Sequence, residues 1–266
     1  KKDFSLNSNI ENTEDIESFI GLNQNSNSIT LSFHRSNYSE THTKSKFKVY
    51  VDHFTKNYKD CKSKNSIILA NNTNKTNDMK VTILISLLEA GGDPNSLFNP
   101  TVESKLIHFA AEIGNTALLN LLIEKGADLN AKDNSGNTAL MDLLENNTVN
   151  YDIKKELAAL MIKKMDLEGL NAKDNEGKTA LMWAIAKWNT DIAKALIQKM
   201  DKGGLNIQDE YGSTALMQAI EHGHTEIAQA LIDKEGINLN AEDSQGRTAL
   251  RMAINLCGNK DPHRVG

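Results

Sequence analysis

Apolar residues fall at helical spacing along most of the chain. Ile16, Phe19 and Ile20 follow a capping residue and early acids in the stretch Thr13 to Ile20, which predicts one short helix. Ile29, Leu31 and Phe33 alternate with polar residues, a pattern that suits a strand or a docked extended segment. From Lys44 to Cys61 the apolar set Phe47, Tyr50, Val51, Phe54, Tyr58 and Cys61 occupies one face of a helix, with lysines around the rest. A second helix is expected over Ser66 to Asn72. Further on, Leu118, Leu122 and Ile123 share a spacing with Ile192, Leu196 and Ile197 and with Ile227, Leu231 and Ile232. Matching triplets of this kind mark one helix used again and again.

The repetition is explicit between them. Asp133-Asn-Ser-Gly-Asn-Thr138-Ala-Leu-Met returns from Asp174 to Met182, from Asp209 to Met217 and, ending in Arg251, from Asp243; the threonines are spaced 41, 35 and 34 residues apart. Such a period means stacked supersecondary units, each touching its neighbours, in place of one globular core. Each recurring residue has a mechanical task. Asp133, Asp174, Asp209 and Asp243 can bond local N–H groups in a turn, where Gly136, Gly177, Gly212 and Gly246 supply positive φ. Thr138, Thr179, Thr214 and Thr248 sit where a helix N-cap is needed. A six-residue insertion, Thr148 to Ile153, and two extra residues within Met165 to Gly169 account for the longest spacing.

These residues resemble the ankyrin repeat, with Gly126-Ala-Asp-Leu-Asn130 close to that family's wording and Leu106-Ile-His-Phe-Ala-Ala111 standing for its Thr-Pro-Leu-His-x-Ala-Ala. The resemblance implies an all-α solenoid, each unit a β-hairpin turn plus two antiparallel helices. Four regions are expected: a polar segment, loosely docked or poorly ordered, over 1–44; a helical cap over 45–78; the repeat array over 79–257; and a tail over 258–266. Departures from the pattern are few. Met141, Met182, Met217 and Arg251 replace the family's His, which His108 alone retains, and this predicts weaker stacking. Trp188 replaces a Gly between the helices, where Tyr151 of the insertion is expected to pack on it.

Charge narrows the choice of partner. The array from Met79 to Cys257 holds 17 Lys+Arg against 25 Asp+Glu, so it repels phosphate backbones and disfavours nucleic acid. No apolar run reaches the roughly 20 residues of a membrane span. Cys61 and Cys257 read as two reduced thiols. His34, His42, His53 and Cys61 match no zinc spacing, and neither a phosphate loop nor a nucleophile elbow is present, so neither metal nor cofactor is expected. The first residue is Lys1 and the last unit stops after one helix, which reads as part of a longer protein.

The resemblance also implies a site. Ankyrin arrays bind through hairpin tips and the exposed inner-helix face, which places on tips Asn134, Ser135 and Asn137, then Asn175, Glu176 and Lys178, then Glu210, Tyr211 and Ser213, then Ser244, Gln245 and Arg247. Phe109, Asp142, Trp183, Gln218 and Met252 would face the groove, with Glu145, Lys187, Glu221 and His222 one turn later. Trp183 and Tyr211 are the expected anchors for a protein or peptide. The expected function is non-catalytic recognition by a soluble, cytoplasmic module, a monomer in preference to an oligomer joined through Leu250, Ile254 and Leu256. Asn makes up about one residue in nine, a bias of AT-rich genomes; by analogy with intracellular bacteria it suggests an effector secreted into a host cell. The alternative is the targeting domain of a larger enzyme.

Overall fold

The computed structural model describes residues 29–31, 67–69, 77–99 and 101–258. The chain divides into two compact units, Lys1–Asp128 and Leu129–Gly266. The helices expected over Thr13 to Ile20 and over Lys44 to Cys61 lie outside the described residues.

In the first unit, strand β1 (Ile29–Leu31) pairs in parallel with β2 (Ile67–Leu69), Thr30 opposite Ile68. The helix expected over Ser66 to Asn72 is therefore replaced by a strand at Ile67–Leu69; the run Ile-Ile-Leu is too short for a helix and its β-branched residues favour the pleat. Helix α1 (Asn77–Glu89) packs against α3 (Thr116–Glu124). Between them, strands β3 (Leu97–Asn99) and β4 (Ser104–Lys105) form an antiparallel hairpin that leads into α2 (Leu106–Glu112), the partner of α3. Phe98 of β3 stacks on Phe109 of α2, ring centroids 3.9 Å apart.

In the second unit, short inner helices α4 (Ala139–Glu145), α7 (Ala180–Ala186), α10 (Ala215–Glu221) and α12 (Ala249–Gly258) each contact the next. Outer helices α5 (Tyr151–Lys164), α8 (Thr190–Lys199) and α11 (Thr225–Ile232) do the same. Two four-residue helices, α6 (Leu167–Leu170) and α9 (Lys202–Leu205), follow α5 and α8 and are N-capped by Asp166 and Asp201. Ala180, Ala184, Ala215 and Ala219 are buried, and their small side chains let the inner helices approach closely. Helix pairs thus dominate the described residues, as the all-α repeat architecture requires.

Register is fixed by ladders running from unit to unit. Lys132 Nζ donates to the Lys173 carbonyl, Lys173 Nζ to that of Gln208, and Gln208 Nε2 to that of Glu242, steps that reproduce the threonine spacings. On another edge, Asn130 donates to Asp166 at 3.0 Å and Asn171 to Asp201 at 3.1 Å. Gly169 and Gly204 serve this second ladder, since a Cβ on either would lie 1.8 Å from the Oδ1 of Asn130 or Asn171.

The insertion lengthens a helix. Its last three residues, Tyr151 to Ile153, form the first turn of α5, which has 14 residues against 10 in α8. Lys154 then lies buried, its ammonium donating to the carbonyls of Leu144 and Asn146 at the end of α4. Burial, with Lys187 nearby, pushes its pKa below the usual lysine value. Tyr151 does not take the place expected for it on Trp188. Its hydroxyl reaches Asp191, 3.5 Å away, and the Trp188 ring meets His224 instead, with centroids 4.0 Å apart.

Candidate functional site

The tips are rigid because one carboxylate organises each turn. Asp174 Oδ1 accepts the N–H groups of Glu176 and Lys178, Asp209 those of Tyr211 and Ser213, and Asp243 those of Gln245 and Arg247, all within 3.0 Å. Gly177 and Gly212 then turn the chain at φ +77° and +73°. Neighbouring tips are tied by backbone bonds, Glu210 N–H to the Glu176 carbonyl and Ser244 N–H to that of Tyr211. A Cβ on Gly177 would lie 3.0 Å from Glu210 N, so that close approach also requires glycine.

The second oxygen of each carboxylate points the tip at the inner helix. Trp183 Nε1 donates to Asp174 Oδ2 at 2.8 Å, and Gln218 Nε2 donates to Asp209 Oδ2 at 2.9 Å. Both donors lie nine residues after their aspartate. Met252, nine residues after Asp243, has no N–H to give, and there Arg247 Nε takes the position at 2.7 Å. Three chemically different side chains thus solve one problem, holding a buried carboxylate by a third hydrogen bond.

The inner-helix start has a similar substitution. His108 Nδ1 accepts the Lys105 N–H at 3.2 Å, and in a later unit Met217 Sδ accepts the Thr214 N–H at 3.4 Å. The sulfur replaces the imidazole as acceptor, although it is a weaker one. Thr179, Thr214 and Thr248 accept from the N–H three residues on, whereas the buried Thr138 makes no cap bond.

The residues expected at the site separate by burial. Phe109 is 3% exposed and Met252 6% exposed, so neither presents a side chain to a partner; Phe98 covers the first, and the second packs inward where a donor would otherwise point out. Asp142, Trp183, Lys187 and Gln218 are half-buried, while Glu145, Asn175, Glu176, Glu210, Glu221 and His222 are exposed. Tyr211 is 60% exposed. Its hydroxyl bonds to the Glu210 carboxylate, and that bond together with the adjacent charge raises the phenol pKa above its ordinary value.

The two expected anchors differ in what already covers them. Lys178 Nζ lies 5.1 Å and Lys187 Nζ 5.7 Å from the Trp183 ring centroid, so the indole carries two ammonium groups of its own. Lys178 is in turn held by Glu176 at 2.5 Å, which raises its pKa. Beside Tyr211 opens a cavity of about 330 Å³ lined by residues of three successive tips, by Ala186 of α7 and by Gln218, Glu221 and His222 of α10 and its C-cap. Lys178, Ser213, Gln245 and Arg247 line it too, each at a hairpin tip as the register expects. The break in the Asp-to-donor interval at Met252 is the signal for the Arg247 bond to Asp243.

A family model described as ankyrin repeats (3 copies) matches residues 107–204 and 201–261, more than half of the chain. No curated protein matches it. Among the described residues no helix is long and apolar enough to cross a membrane.

Proposed function

Since the chain belongs to the ankyrin-repeat family, whose units are protein–protein interaction modules, we propose that its tips and inner helices bind a protein segment and perform no chemistry on it. The observation that carries this reading is Tyr211, a 60% exposed aromatic side chain beside a cavity, on a turn whose Tyr211 and Ser213 N–H groups both donate to the Asp209 carboxylate. A rigid aromatic platform loses little entropy on binding, which is why such side chains dominate interface energetics. The tip aspartates are committed to their turns, which supports recognition over acid–base catalysis. In this reading Trp183 is a second contact for the partner, and Glu176, Glu210, Glu221 and His222 supply polar contacts around the two aromatic side chains.

The test is affinity capture on the full chain, followed by titration of each captured protein. Tyr211→Ala is expected to weaken binding at least tenfold, about 1.4 kcal/mol, with an unchanged circular dichroism spectrum. Affinity equal to the parent chain's in both the Tyr211→Ala and the Trp183→Ala forms, for every captured protein, would remove the proposal.

A further inference from the structure

The cavity beside Tyr211 has a charge pattern that selects its occupant. Two cations, Lys178 and Arg247, line it against three carboxylates, Asp209, Glu221 and Asp243. Both cations are already matched: Lys178 by Glu176 at 2.5 Å, and Arg247 by Asp243 at 2.7 Å. Asp209 accepts N–H donors at both oxygens and is in none of the salt bridges among the described residues. Glu221 is exposed and is in none of the salt bridges among the described residues. The lining therefore carries an uncompensated negative charge with a carboxylate free to receive donors. Unlike Trp183, the Tyr211 ring has no cation of the chain over it among the described residues. The Ser213 hydroxyl, shielded from solvent, has no hydrogen-bond partner.

We propose that this cavity receives a basic side chain of the partner, an arginine in preference to a lysine, stacked on Tyr211 and paired with Glu221. A planar guanidinium suits both contacts, since it stacks on aromatic faces and offers a two-pronged donor to a carboxylate. The excess of acidic residues in the array draws a basic segment toward the site before contact. An acidic partner residue would face Asp209 and Glu221 without a free cation to meet it. The proposal rests on the groove reading above and adds the chemistry of the anchor.

The experiment is selection of a displayed random dodecapeptide library on the full chain, with enriched peptides measured by calorimetry. Peptides bound at the groove are expected to share an arginine whose replacement by citrulline, equal in shape but uncharged, weakens binding about tenfold or more. Glu221→Gln should lose a similar factor, and Glu235→Gln, a control of equal charge change away from the cavity, should lose none. Peptides that depend on Tyr211 yet tolerate citrulline, or are indifferent to Glu221→Gln, overturn the basic anchor and leave the groove reading intact. Peptides indifferent to both Tyr211→Ala and Trp183→Ala, or a selection that enriches nothing, overturn both.

Discussion

Trp183 Nε1 donates to Asp174 Oδ2 across 2.8 Å, so a half-buried inner-helix side chain braces the tip beside it. The carboxylate is buried, with Oδ1 already given to Glu176 and Lys178. Trp183→Phe keeps a ring and removes only the donor. A hydrogen bond to a charged acceptor contributes about 1.5–3 kcal/mol, and the half-buried site allows water to recover part of it. The urea midpoint should fall by an amount near the lower end of that range, and amide exchange at Glu176 and Lys178 should quicken. Unchanged exchange at those two amides would mean that the indole is not part of the tip.

Gly204 meets Asn171 in a way that backbone angles do not reveal. Its φ is not in the left-handed region, so alanine is conformationally acceptable and should favour the helix by about 1 kcal/mol. An added Cβ would nevertheless lie 1.8 Å from Asn171 Oδ1, and overpacking of this kind costs about 1–3 kcal/mol. Gly204→Ala is expected to destabilise, and much less so in an Asn171→Ala background. Additive effects in that double-mutant cycle would refute the contact.

The repeat register, the Asp and Gly tasks and the outer-helix spacing are legible in the sequence because each is a local rule applied several times, although Ile232, expected to be buried, is 45% exposed at the end of α11. What was not legible depends on neighbours. Phe109 sits at a groove position by register, but the hairpin strand carrying Phe98 closes over it. Met252 sits at a groove position by register but is buried, and the bond to Asp243 comes from Arg247 on the tip. The strand at Ile67–Leu69 is set by pairing with a segment 38 residues away, which helical periodicity cannot register. Adjacency of loops points Tyr151 at Trp188, whereas Tyr151 to Ile153 form a helical turn that carries the phenol to Asp191.

Trp188 takes φ +60° at a position where Gly114 and Gly223 take +67° and +73°. A side chain in that region costs about 1–2 kcal/mol, offset here by the ring's contact with His224 at 4.0 Å. Replacing Trp188 by alanine keeps the strain and loses the contact, and replacing it by glycine loses both. Trp188→Gly should therefore be more stable than Trp188→Ala by about 1 kcal/mol, the reverse of the usual order. Denaturant titration of the two variants decides it; alanine equal to or above glycine would show that the backbone is not strained.

His224, which the Trp188 ring covers, gives the fold a pH dependence. It is 6% exposed, and burial lowers its pKa below 6.5; a hydrogen bond to the Ile185 carbonyl acts the other way, and His222, 6.2 Å away, lowers it further. The unfolded chain, with an ordinary imidazole, therefore binds a proton at a higher pH than the folded chain does. Between the two values the unfolded state carries more protons, so stability rises with pH across that interval. The contribution is complete above about 6.5 and is lost as pH falls toward the folded value, below which it no longer changes. Urea denaturation at pH 7.5 and 5.5 should show the loss in the parent chain, and His224→Asn should reduce it, while His222→Ala should leave most of it. Equal pH slopes for the parent and His224→Asn would assign the acid sensitivity to other groups.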